Sequence, residues 1–407
     1  MLVKTISLLG HKDHGKSTLI GNLLMLTGSA TKARIREAQE YSKMLHKDFE
    51  PAFILDSFAE ERTNEMTIDT TRAEIKYRDI AFAFIDVPGH EELIKNMISG
   101  ASYGEIAVLL VSAKSDEGVR DQTKRHLFIS KMLGIDRLIV AVNKMDTVGY
   151  SQKRFEEVER ELSGFIYKIG FAEENVHFVP VSAYTGENLI KKSARLRWYI
   201  GKPLIEILYE EAKNEGRRQE GALRIVTQGV IPGTGRGHVV GRVVSGAVRT
   251  GQSVCILPQG AKAKVMEVMV KGKRVRAGKV GENVALRLDR NIGAEMRGSV
   301  ITGTDNMPKV TDRVRLKIFV TGSFGRSMYA KFNGVDIPCK VVKVLRGIDV
   351  STGDERSSTK VKPLDAVEAE VRLSRRVPVE NYDVTRELGR FVLYTGNAFA
   401  GIGTLNG

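Results

Sequence analysis

The stretch Thr5-Ile6-Ser7-Leu8-Leu9-Gly10-His11-Lys12-Asp13-His14-Gly15-Lys16-Ser17-Thr18-Leu19-Ile20 constrains this chain more than any other. A short apolar run ends in Gly-x4-Gly-Lys-Ser and passes at once into a helix-forming run, so the segment reads as strand, tight loop and helix. The spacing has a physical purpose. Glycines at 10 and 15 let backbone N–H groups wrap a phosphate chain, Lys16 reaches the outer phosphates, and the Ser17 hydroxyl is placed to bind Mg²⁺. Gly10, Asp13, His14, Gly15, Lys16, Ser17 and Thr18 are therefore the expected phosphate-binding residues. The competing reading, a glycine-rich turn that binds nothing, has to explain both flanks as well as every constrained position. His11 and His14 have a spacing that suggests a metal, but they sit inside a loop whose backbone must face phosphate, which argues against zinc.

Up to about residue 210, apolar runs alternate with amphipathic stretches. Ile6 to Leu9, Ile80 to Asp86, Ile106 to Val111, Leu138 to Val142 and Val176 to Val179 read as buried strands, and Leu204 to Ala212 as a helix. This is the pattern of an α/β P-loop domain with a doubly wound, mostly parallel sheet. After the charged stretch Lys213 to Glu220 the pattern changes to short β-prone runs between glycine-rich turns, including His238 to Val244, Ser253 to Leu257, Arg313 to Val320 and Ala366 to Leu373. Two all-β barrel domains are expected there. The domain limits read as 1–215, 221–305 and 308–407, with the second boundary near Thr304 to Pro308.

Three further motifs follow the phosphate loop in order. Ile85-Asp86-Val87-Pro88-Gly89-His90 closes an apolar strand, where Asp86 can hold Mg²⁺, the Gly89 N–H can sense a γ-phosphate, and His90 is the candidate for orienting an attacking water. Asn143-Lys144-Met145-Asp146 ends another strand, and its Asp146 carboxylate can accept from N1 and the exocyclic amine of guanine. Adenine would leave that acceptor unpaired, so GTP and GDP are favoured over adenine nucleotides. Val181-Ser182-Ala183 can close over the guanine through a backbone N–H, and Thr67 can offer Mg²⁺ a second hydroxyl from a mobile switch. Taken singly, each has an ordinary reading as a polar strand end, a surface histidine or a solvated loop; the fixed order behind the phosphate loop gives them weight.

Composition narrows the setting. A net charge of +14 on 407 residues suggests a polyanionic partner, and residues 221 to 290 hold 13 Lys/Arg against 3 Asp/Glu. Cys255 and Cys339 lie far apart without metal-ligand spacing and read as buried, inert thiols. No apolar run reaches the roughly 20 residues of a membrane span, and Met1-Leu2-Val3-Lys4 leads straight into a strand, so a cytosolic chain with no signal peptide and no membrane partner is expected.

With these motifs in order, the chain resembles the translational GTPases, most closely the elongation factor 1-alpha branch of the elongation factor Tu-like group. The resemblance is carried by Gly10 to Leu19, the insertion Leu26 to Thr67, Asp86 to His90 with Lys95 to Ser102, Val142 to Asp146, Val240 to Val243, Gly347 to Asp354 and Leu388 to Phe391. It implies GTP hydrolysis with Mg²⁺, switching between GTP and GDP forms, the ribosome and tRNA as partners, and a guanine-nucleotide exchange factor. Two positions depart from the pattern. Glu65 stands where the family has glycine two residues before the switch threonine, and Val244 where elongation factors carry a glutamate near the aminoacyl end of tRNA. A ribosome-associated paralogue without aminoacyl-tRNA therefore stays open. So does a GTPase subunit of sulfate adenylyltransferase paired with an adenylyltransferase catalytic subunit, which Arg125 to Phe128, Leu133 to Ile135 and Ala400 to Gly403 also resemble, although that branch carries an acidic residue where this chain has His14.

Overall fold

The computed structural model describes residues 2–46, 48–55, 72–86, 106–132, 134–214, 221–231, 237–290, 296–322, 324–325, 327–356, 360–396 and 398–405, with only the backbone of Leu2, Lys12, Arg72 and Asp86. Thr67, Gly89 and His90, expected in the switch and at the attacking water, lie outside the described residues, as does the Asp86 side chain. The chain forms two compact units, 1–215 with 351–353, and 216–350 with 354–407.

The first unit runs β1 (Leu2–Gly10), α1 (Lys16–Leu26), α2 (Lys32–Met44), β2 (Arg72–Tyr77), β3 (Ile80–Asp86), β4 (Ile106–Ser112), α3 (Asp121–Met132), β5 (Arg137–Asn143), α4 (Gln152–Lys168), β6 (Val176–Pro180) and α5 (Leu204–Asn214). Its six-stranded sheet has the order β2-β3-β1-β4-β5-β6, and only the β2–β3 hairpin is antiparallel. Every residue of β4 is buried, as a strand covered by helices on both faces requires. The helices supply the covering faces at helical spacing. In α4, Phe155, Val158, Leu162, Phe165 and Ile166 point inward, and the Ser151 side chain caps the start by accepting from the Arg154 N–H at 3.3 Å. Each such large side chain contributes about 1.5–3 kcal/mol on burial. The strand β2 is absent from the runs that apolar patterning picks out. Its alternating Arg-Ala-Glu-Ile-Lys-Tyr buries only Ala73 and Ile75, which is the pattern of an edge strand rather than a central one.

The second unit holds two closed antiparallel sheets. The first comprises β7 (Arg224–Ile231), β8 (His238–Ser245), β10 (Ser253–Leu257), β11 (Ala261–Val270), β12 (Lys273–Val275), β14 (Asn283–Leu288) and β15 (Val300–Thr302), while β9 (Ala247–Arg249) and β13 (Ala277–Lys279) pair with each other in a separate two-stranded sheet. The ring β10-β15-β7-β8-β14-β11 closes through β10–β11 pairing. The second comprises β16 (Lys309–Val320), β17 (Ser327–Phe332), β18 (Val335–Ile348), β19 (Glu355–Arg356), β20 (Ala366–Val379), a four-residue helix α6 (Arg386–Gly389), β21 (Arg390–Thr395) and β22 (Ala398–Leu405), and its ring closes through β17–β18. Closure leaves no long unpaired edge in either ring. Cys255 and Cys339 are buried free thiols, Cys339 within the core of the second ring, and burial pushes Cys339 up to about 11. Among the described residues no helix is long and apolar enough to cross a membrane.

One buried ion pair joins the two rings. Arg224 at the start of β7 is 1% exposed and grips Glu380, just beyond β20, through Nη2 at 2.6 Å and Nε at 3.0 Å. Its Nη1 donates to the Thr302 hydroxyl at 2.9 Å, and the Thr385 hydroxyl donates to the same Glu380 carboxylate at 2.7 Å. Such a pair is costly to break because the surviving charge loses its compensation. Replacing Arg224 by methionine is expected to destabilise the barrels by about 3 kcal/mol. The single tryptophan, Trp198, lies in the first unit. Urea unfolding followed by circular dichroism in the β region should therefore shift to lower midpoint, while the Trp198 fluorescence transition stays in place.

Candidate nucleotide site

Strand register places the site. Gly10 pairs with Leu110 across β1 and β4, Leu8 with Asp86 across β1 and β3, Ser112 with Asn143 across β4 and β5, and Val142 with Pro180 across β5 and β6. The carboxyl ends of these five strands therefore share one edge. The connection after β1 sits where the order reverses, since β3 lies to one side of β1 and β4 to the other, and ligands of open α/β sheets bind at such a crevice.

The phosphate loop is shaped by two glycines. Gly10 has φ +142, and a Cβ there would lie 2.7 Å from the Leu110 carbonyl oxygen; Gly15 has φ +90, and a Cβ would lie 2.6 Å from Asn143 Nδ2. Between them Lys12–His14 makes a single 3-10 turn, and Gly15 caps α1, whose first N–H groups face the loop. Lys16 Nζ spans the loop, donating to the Gly10 carbonyl at 2.9 Å and the His11 carbonyl at 3.1 Å. Ser17 is half-buried in the first turn, Asp13 is exposed, and the Thr18 hydroxyl donates to Glu50 at 2.9 Å.

Asn143 connects this loop to the base-recognition corner. Its Nδ2 donates to the His14 carbonyl at 2.8 Å and its Oδ1 accepts from the Ala183 N–H at 2.7 Å, with the side chain almost wholly buried. Asp146 Oδ1 accepts from the Ser182 hydroxyl at 2.5 Å, which orients the carboxylate. Lys144, in the left-handed region at φ +63, places Nζ 2.6 Å from Glu117. Burial raises the Glu117 carboxyl, but hydrogen bonds from Lys144 and Ser112 outweigh it and leave the group at about 2, a fixed anion against a fixed cation.

Two residues of the site have internal partners that the sequence does not show. The His14 side chain does not face the phosphate loop: it is buried, and Nδ1 donates to the Leu110 carbonyl at 3.0 Å. Desolvation by burial lowers its pKa, and it is the His14 backbone carbonyl that reaches Asn143. The Ala183 N–H is likewise used inside the protein, to orient Asn143. Sequence reading missed Asn22, which lies within the apolar run of α1 yet sends Nδ2 to the Ala183 carbonyl at 2.8 Å and the Tyr184 carbonyl at 3.1 Å. It also missed Asn188, whose Nδ2 holds the Pro180 carbonyl at 2.8 Å, and Glu117. A polar amide at a position where helix periodicity demands an apolar residue was the available signal for Asn22.

The donor chemistry suits Mg²⁺. Ser17 in the first turn of α1 carries a hydroxyl and Asp86 ends β3, the strand beside β1, and hard oxygen donors of this kind are what the ion takes, with phosphate and water completing its shell. Among the described residues no group of three or more His, Cys, Asp or Glu comes together as a metal cage.

Comparison with known proteins gives a consistent picture. Residues 2–224 match the model of the elongation factor Tu GTP binding domain, and residues 320–406 match the GTP-eEF1A C-terminal domain-like model. The elongation factor 1-alpha of Pyrobaculum arsenaticum is 34% identical over 404 residues, covering 95% of this chain and 90% of its own. That of Methanosarcina acetivorans is 34% identical over 401 residues, covering 95% and 94%. A solved structure of sup35 complexed with GDP aligns over 100% of this chain and 94% of its own at 23% identity, with a TM-score of 0.44.

The crowding at Gly15 makes a sharp test. Gly15→Ala would force the new methyl against Asn143 Nδ2 in a backbone region that L-residues rarely adopt, displacing the amide that ties the two halves of the site together. Affinity for a fluorescent GDP analogue is expected to fall by about 100-fold, with far-ultraviolet circular dichroism unchanged.

Proposed function

The chain belongs to the elongation factor Tu and elongation factor 1-alpha family of GTP-hydrolysing translation factors, and on that premise we propose that it is a nucleotide switch that carries aminoacyl-tRNA to the ribosome in its GTP form. The observation that carries the nucleotide part is the Asn143 amide, which fastens the phosphate loop at His14 to the base corner at Ala183 and so fixes the distance between the two ends of a guanine nucleotide. Backbone N–H groups of residues 13–18 cradle the phosphates, Lys16 turns from the loop carbonyls to the outer phosphates, and Asp146 reads the guanine edge. Ser17 and Asp86, with Thr67 from the switch, hold Mg²⁺. When bound, the ion neutralises charge between the outer phosphates. His90 orients the attacking water, and Gly89 registers the γ-phosphate. The functional division follows at 1–215, 221–305 and 308–407, with the nucleotide on the first part and RNA on the barrels.

Charge supports an RNA partner. On the first barrel Lys262, Lys264, Lys271, Lys273, Arg276 and Lys279 are all exposed, while Glu267 occupies Arg274 and Arg287. The relatives named above, both called elongation factor 1-alpha, support the ribosome over sulfate activation. Val244, half-buried in β8, favours the second reading of a ribosome-associated paralogue, because an apolar side chain offers the aminoacyl end no hydrogen bond.

GTP turnover by the purified protein, with and without ribosomes at two salt concentrations, tests this reading. Ribosomes are expected to accelerate hydrolysis in a salt-sensitive manner, and His90→Ala to abolish the acceleration while leaving GDP affinity within about twofold. Absence of ribosome stimulation, or its dependence on an adenylyltransferase subunit, contradicts the proposal. Stimulation without aminoacyl-tRNA binding selects the paralogue.

A further inference from the structure

The nucleotide-binding unit carries a second charged surface that the nucleotide site does not use. Residues 188–202 link the strand end at β6 to α5, and Lys191, Lys192, Arg195 and Arg197 are exposed within seven positions. Local acids cancel little of this charge. Glu187 lies 3.7 Å from Arg195, Glu210 is taken by Lys202, and Lys191 and Arg197 make no ion pair among the described residues.

The cations are interleaved with flat and apolar surface. The Arg195 guanidinium lies 5.4 Å from the centroid of the Tyr150 ring and its Nη1 donates to the Tyr150 hydroxyl at 3.3 Å, so a planar cation is held ready against an aromatic face. Trp198 fixes the base of this arrangement, its Nε1 donating to the Tyr150 carbonyl at 2.9 Å. The same segment lines a cavity of about 300 Å³ whose walls include Lys192, Arg197, Tyr199 and Ile200. Lys192 Nζ is anchored at 3.1 Å to the Ile200 carbonyl, which holds the ammonium at the rim, and Ile200 itself is 90% exposed.

We propose that this patch binds single-stranded RNA, with one base in the cavity against Tyr199 and Ile200, its flanking phosphates on Lys191, Lys192 and Arg197, and a neighbouring base stacked on the Arg195–Tyr150 pair. Cations alone would suit any polyanion. The planar guanidinium and a cavity at the lower end of ligand-site size, lined by both apolar and cationic side chains, suit a base with its phosphate better than an acidic peptide, whose carboxylates need no stacking platform. Stacking contributes about 1–3 kcal/mol per base and tolerates sequence variation, so binding is expected to be weakly sequence-dependent and strongly salt-dependent. The site needs no ribosome, and its test is separable from the translation reading.

The test uses the full chain and a fluorescein-labelled 12-nucleotide oligouridylate, with binding followed by anisotropy at several salt concentrations. Lys192→Glu/Arg197→Glu is expected to weaken binding at least tenfold and to reduce the slope of log affinity against log salt by about 1.4, roughly 0.7 for each phosphate no longer neutralised. GDP affinity should not change. On the unaltered protein, an oligonucleotide carrying 4-thiouridine should crosslink within residues 188–200, which guards against a folding defect in the double variant. Unchanged RNA affinity in the variant, or crosslinks confined to the barrels, overturns the proposal. So does displacement of the RNA by polyglutamate as effectively as by unlabelled RNA, which would mark a surface for acidic peptides.

Discussion

The architecture of the site depends on one buried amide. Asn143 ends β5, and both polar atoms of its side chain are committed, one to the carbonyl of His14 in the phosphate loop and the other to the N–H of Ala183 beyond β6. Parallel strands bring these loops to one edge, but register alone does not fix loop spacing to a fraction of an ångström. A buried amide does, because a donor or acceptor left unpaired there costs about 1–3 kcal/mol. The neighbours are arranged around it. Gly15 lacks a side chain where Asn143 Nδ2 passes, and Asn22 reaches from α1 to hold the carbonyls of Ala183 and Tyr184 from the other side. The rim that meets a nucleotide is thus ordered by the protein's own hydrogen bonds, which reduces the ordering cost of binding.

Charge is handled differently in the two units. Around the nucleotide site it is paired and oriented: Glu117 holds Lys144, and Ser182 aims Asp146. In the barrels, one deeply buried pair, Arg224 with Glu380, joins the rings, while most of the remaining lysines and arginines of the first barrel are displayed to solvent. Pairs of the first kind fix geometry. Displayed cations instead raise the local potential and the rate of encounter with a polyanion, an effect that salt weakens.

Much of this was legible in the sequence because the relevant signals are local. The phosphate loop, the buried strands and the helix at Leu204 follow from contiguous residues, and Ser253–Leu257 has the limits its short β-prone run predicts. Short strands such as β9, β12, β13 and β15, three residues each, escape because a run of three carries no usable period. The side-chain partners were illegible for another reason. His14 looks like a loop residue facing ligand, but its ring is drawn into the core by the Leu110 carbonyl, 96 positions away. Asn22 looks like an imperfection in an apolar helix until its partners 161 and 162 residues distant are in place. Arg224 reads as one more cation of a basic segment, and only the packing of two barrels reveals that it is buried.

A sheet edge built for a guanine nucleotide, with Asp146 toward the base and Asn143 setting its distance from the phosphates, has to discriminate between bases. Calorimetric titration of the full chain with GDP, IDP and ADP tests it most directly, since the three share their phosphates and differ only at the base. IDP lacks the exocyclic amine and forfeits one hydrogen bond to a carboxylate, so it is expected to bind about 10- to 100-fold more weakly than GDP, and ADP more weakly still. Equal affinity for GDP and ADP would show that Asp146 does not read the base.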